Sequence, residues 1–166
     1  MSIVANSVTK VPVPAASHVS ASFKRIDFAD AYQVALTRPQ LSAEDAATAI
    51  FGTSPRWVGA LMKLRGVFAR AVGLKHSDMR SGSQQRGIFK VQARYADEII
   101  IGENDSHLNF RISVLRAGEA DAATVTVSTA VEINNTLGSV YMLIVKPFHR
   151  VIARSMVQRA ANAGRL

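Results

Sequence analysis

The chain has 166 residues, 48% of them hydrophobic and 19% charged, with no cysteine and a formal net charge of +8. That length suits one domain with a sizeable core, and this composition excludes a globally disordered chain. The absence of cysteine excludes disulfides, thiol nucleophiles and thiolate metal sites; His18, His76, His107 and His149 show no HxxxH or HxH spacing, so neither metal nor cofactor is expected.

Charge is unevenly spread. Residues 1–53 balance, residues 54–94 carry nine basic residues against Asp78, residues 95–132 are net acidic, and residues 133–166 hold five basic residues and no acid. Basic helix faces beside an acidic hairpin permit contact with nucleic acid or anionic lipid, although solvated Lys and Arg also simply keep a domain soluble. No apolar run approaches the ~20 residues of a membrane helix. The first residues lack a positive region followed by an apolar core, so no signal peptide is expected and a cytoplasmic location follows by default.

In chain order, residues 1–16 read as an extended arm, because Pro12 and Pro14 fix φ and remove donors. Residues 17–166 read as a single domain. Ser17 caps a short helical turn reaching Phe23. Phe28, Asp30, Tyr32, Val34 and Leu36 then alternate with Ala29, Ala31, Gln33 and Ala35, the period of a first strand. Ser42 with Glu44 and Asp45 forms a capping pattern for a helix from Ala43 to about Phe51. A second helix starts at Ser54 with Pro55 in its first turn; its stripe is Trp57, Leu61, Leu64, Phe68 and Val72, and Gly73 ends it. Lys75 to Gly87 reads as a loop.

Phe89 to Asn135 is the organising stretch, with further strands at Phe89–Tyr95, Ile99–Ile101, His107–Arg116 and Ala123–Asn134. Leu108, Phe110, Ile112 and Val114 share one face; Val125, Val127, Val131 and Ile133 share the matching one. Arg111 falls on the opposite face and is expected at the surface. Ser139 to about Ala163 reads as one long helix bent near Pro147; a strand over Val140–Val145 followed by a shorter helix is the alternative. The expected class is α+β, a curved antiparallel sheet packed on a long C-terminal helix, with two helices after the first strand.

That order is similar to the helix-grip domain of the START-like (SRPBCC) superfamily, whose sheet wraps its final helix around a cavity. Pro55, Arg56 and Trp57, then Leu61, Met62, Leu64 and Arg65, then Gly73 to Lys75, resemble the first block of an uncharacterised bacterial DUF-type family of unknown function within that superfamily. Asp97 and Glu98, Gly102 to Asp105, His107 to Arg111, Tyr141, and Pro147 to His149 resemble its later blocks. The match spans about residues 11 to 160, with Asn109 where the family pattern has aspartate. The resemblance implies the fold and no established activity. Some relatives look like the end of longer chains that begin with a Rossmann reductase domain, whose GxGxxG is missing from this sequence.

A cavity of this kind implies binding of a hydrophobic or amphipathic small molecule. Trp57, Leu61, Phe110, Val127, Tyr141 and Phe148 are the candidate lining residues, and Arg65, His107 and His149 the orienting groups. Asp105, His107 and His149 together form the best polar constellation for acid–base chemistry, which keeps a cyclase- or hydrolase-like enzyme as an alternative. The competing reading of Asp105 is a turn residue bound to its own backbone. Arg65 has Glu98 and Glu103 as possible ion-pair partners. Lys146, Arg150 and Arg154 lie four apart and suggest a basic interaction module; the lack of interleaved aromatics argues against nucleic acid. No GxSxG elbow is present.

Overall fold

The computed structural model describes residues 7–52, 85–86 and 89–166. Among the described residues, seven strands form one antiparallel sheet: β1 (Thr9–Val11), β2 (Phe28–Ala35), β3 (Gln85–Arg86), β4 (Phe89–Arg94), β5 (Glu98–Asn104), β6 (Leu108–Ala117) and β7 (Thr124–Ile133). Their order is β1-β2-β7-β6-β5-β4-β3. Two α-helices are described, α1 (Ala43–Phe51) and α2 (Thr136–Asn162). The protein is therefore α+β, a curved antiparallel sheet with a C-terminal helix. Within the arm, Thr9–Val11 adds a three-residue edge strand to β2 just before Pro12.

The alternation read from the sequence sets the faces. Tyr32 stands opposite Val127, which in turn stands opposite Val114, while Phe28, Val131 and Phe110 form the equivalent row further along. The helices cover this face: α1 lies against β5 and β6, and α2 against β2 and β7. Packed there, Tyr32, Val34, Val114, Val125, Val127, Ile50 and Val157 belong to the main apolar cluster. A second, smaller cluster holds Phe28, Leu108, Val131 and Met142. Burial of each such side chain contributes about 1.5–3 kcal/mol.

Local chemistry explains the helix ends. Ser42 accepts a hydrogen bond from the Asp45 amide at 3.1 Å, with Glu44 and Asp45 at the positive end of α1. The last helix begins at Thr136 rather than Ser139 and runs through Val140–Val145, so the strand alternative is corrected. Asn135 caps it, accepting from the Gly138 amide at 3.0 Å, and its own amide donates to the Ser106 carbonyl at 3.0 Å. A β-carbon at Gly138 would stand 2.1 Å from the His107 carbonyl oxygen, so only glycine allows this first turn to seat on the β5–β6 hairpin.

The opposite face of the sheet is also covered. A 3-10 turn, His18–Ser22, lies over it with Ser17 as cap, as the sequence suggested, and Val19 is fully buried beneath. This cover corrects the surface position expected for Arg111, which is 7% exposed. Its guanidinium donates to the carbonyls of Phe110 at 2.8 Å and Glu103 at 3.2 Å and to Asn104 Oδ1 at 2.7 Å, with the Phe23 ring 5.6 Å away.

Candidate functional site

Among the described residues each sheet face buries one carboxyl group, and the two are held very differently. Asp30 sits on the helix-covered face, between Phe28 and Tyr32, and its side chain is 2% exposed. Its cross-strand neighbour is Thr129, itself buried, which pairs onward with Ile112. Asp30 and Thr129 thus form a polar layer between the two apolar clusters, with Phe110 packed against both clusters.

Helix α2 completes the layer. His149 Nε2 lies 3.3 Å from Asp30 Oδ1, and the imidazole meets Phe28 edge-on with centroids 5.6 Å apart. The Tyr32 hydroxyl donates to Asp30 Oδ2 at 3.5 Å. Both contacts are long for bonds to a carboxyl group. Burial, and then neighbouring Asp30, push the Tyr32 phenol above its ordinary value against the opposing pull of Arg150 and Arg154. The layer brings together an acceptor, an imidazole and a phenol, a set able to hold a polar group or to move a proton.

Glu98 occupies the other face with its side chain 1% exposed. Oε1 accepts from the hydroxyls of Ser17, at 2.5 Å, and Ser113. Oε2 accepts from the His18 amide at 2.9 Å and lies 2.7 Å from His18 Nδ1. Burial alone would raise this carboxyl; the hydrogen bonds from Ser113, Ser17 and His18 outweigh it and hold Glu98 below the usual carboxylate range. The His18 ring in turn stacks on Tyr95, centroids 3.9 Å apart. Glu98 is therefore occupied in fastening the 3-10 turn; Arg65, for which it was considered as a partner, lies outside the described residues.

The structure divides the expected site residues. Trp57, Leu61 and Arg65 lie outside the described residues. Val127 is 4% exposed within the main core, and Phe110 bridges the two clusters. His107 is buried and meets Tyr141 edge-on at 5.5 Å, with its Nδ1 3.2 Å from Asp105 Oδ1 but outside hydrogen-bond geometry. Asp105 accepts from the Ser106 amide at 2.6 Å, the bland turn role. His107 touches α2 at Tyr141 while His149 lies eight residues on, about 12 Å along the helix axis at 1.5 Å per residue. The expected Asp105–His107–His149 constellation is thus two separate places.

Phe148, expected to line a cavity, is 58% exposed. With His149 turned to the sheet, its neighbour is rotated by about 100° away from it. Sequence reasoning missed Asp30 and Tyr32 as site residues. The available signal was an aspartate on the apolar side of an alternating strand. Among the described residues no group of three or more His, Cys, Asp or Glu could hold a metal ion, and no described helix is long and apolar enough to cross a membrane.

The fold and the buried layer define an α+β domain with a polar trio inside its helix–sheet seam. Residues 22–156 match the family model described as Protein of unknown function (DUF2867), and the chain belongs to that family. No curated protein and no solved structure matches the chain.

Proposed function

We propose that this chain is a START-like helix-grip domain that binds a hydrophobic or amphipathic small molecule between the sheet and α2. The polar end of the ligand is held by His149, Asp30 and Tyr32, and its apolar part lies against Phe110 and the flanking clusters. One observation carries the reading. A carboxyl group is buried at the centre of an apolar face, where its hydrogen-bond contacts among the described residues are the long ones to His149 and Tyr32. A group of this kind costs folding free energy when underbound, and such groups concentrate at binding and catalytic sites.

Titration of the purified protein with the uncharged amphipathic dye Nile red tests this. Saturable fluorescence enhancement that His149→Ala and Asp30→Asn each weaken by tenfold or more supports the site. Non-saturable enhancement, or enhancement indifferent to both substitutions, refutes it.

The His149–Asp30 pairing also favours a second reading, chemistry on the bound ligand. A carboxyl group at one imidazole nitrogen orients the ring for general acid–base work. Turnover of any member of an ester and cyclisable polyketide-like panel, abolished by His149→Gln without loss of dye binding, would select this reading over binding alone.

A further inference from the structure

The outward side of α2 carries a pattern that the helix–sheet seam does not use. Leu143 is 78% exposed, Val151 67%, Phe148 58%, Ile144 48% and Val140 46%. At about 100° per residue these five fall within a sector of about 140°, away from the inward Met142, His149 and Ala160. Lys146, Arg150 and Arg154 run along one border of that sector, all exposed, and residues 133–166 contain no acid. The Lys146 ammonium stands 5.3 Å from the centre of the Phe28 ring, which marks the border where the outward sector meets the sheet.

We propose that this face of α2 rests on an anionic lipid surface. Five neighbouring apolar side chains in water carry a standing free-energy cost, and a flanking row of long basic side chains sets charged heads at headgroup level when the apolar sector enters the acyl boundary. Charge sets the occupant. A second copy docking face to face with its helix antiparallel would bring each basic row against its twin, and a parallel one would leave both rows with no acid of residues 133–166 to meet. Residues 53–84 hold six basic residues against Asp78 and bring the same sign again. An anionic membrane supplies both the apolar phase and the opposite charge. The helix lies on the surface and does not cross it.

Co-sedimentation of the full chain with vesicles of equal parts phosphatidylglycerol and phosphatidylcholine, against phosphatidylcholine alone, tests the proposal. The wild type sediments with the anionic vesicles and is released by salt. Arg150→Glu combined with Arg154→Glu weakens partitioning by at least about 25-fold, from about fivefold per charge removed. Leu143→Ser combined with Val151→Ser weakens it by tenfold or more while the melting temperature stays within about 2 °C of wild type, as expected for exposed positions. Three results overturn the proposal: no preference for anionic vesicles; a large fall in melting temperature for the serine variant, which shows the face covered within the chain; or a wild-type dimer in light scattering that the serine variant dissociates.

Discussion

Glu98 and Asp30 are a matched pair in burial and opposites in bonding. The first accepts from two hydroxyls and a backbone amide and lies against an imidazole, all within 2.9 Å. Among the described residues the second has contacts only at 3.3 Å and 3.5 Å. A buried charged group surrounded by donors anchors structure, because removing it strands every donor at once. An underbound carboxyl group contributes little to holding the fold and remains available to a ligand. The difference teaches that burial alone does not mark a functional acid; the completeness of its hydrogen bonding does.

The largest expected effect is on the fully bonded side. Glu98→Ala should cost about 3 kcal/mol, since it leaves the Ser17 and Ser113 hydroxyls and the His18 amide without their acceptor. Calorimetry should show a fall in melting temperature of about 10 °C for a chain of this size. A fall below about 2 °C would mean that the turn at His18–Ser22 is not fastened through Glu98.

A pH series sharpens the same contrast. The folded pKa of Glu98 is depressed below its ordinary value of 4.5, so its contribution is present above that value and lost as pH falls through the lower folded one. Urea unfolding between pH 7 and 3 should therefore show Glu98→Gln with a flatter loss of stability below pH about 4.5 than the wild type. Parallel curves would contradict the assignment.

Next in size comes Ser113→Ala. It removes one of the two hydroxyls on Oε1 and should cost about 1.5 kcal/mol, half the effect of losing the carboxylate. The smallest effect belongs to the other face. Asp30→Asn should leave unfolding free energy within about 1 kcal/mol of wild type or raise it slightly, as happens where a site trades stability for function. On this variant the Tyr32 phenol should titrate closer to its ordinary value in alkaline absorbance, because the raising effect of the Asp30 charge is gone.

The sheet was legible because period-2 alternation is a local property. Phe28–Ala35, Leu108–Ala117 and Thr124–Ile133 lie where the alternation put them. The last helix was legible from its period after Pro147, while its start at Thr136 depended on Asn135 binding both Gly138 and Ser106, a contact across the fold. Arg111 was misplaced for a similar reason. Alternation shows which face a residue is on, and it does not show that a segment nearly ninety residues earlier covers that face.

The site was half legible. His149 was visible as a candidate orienting group beside the helix bend at Pro147. Asp30 was visible as a letter and overlooked as a signal, since its place among Phe28, Tyr32 and Val34 was read only as strand. Its partner lies 119 residues away, beyond any spacing rule. Glu98 gave no sign of its role, because Ser17 and His18 reach it from 81 and 80 residues earlier.

Native mass spectrometry of the wild type beside Asp30→Asn tests the central claim most directly. The wild type should carry a small-molecule adduct, released on collisional activation, and the variant should be a bare chain at an equal melting temperature. Bare chains for both, or the same adduct on both, would contradict it.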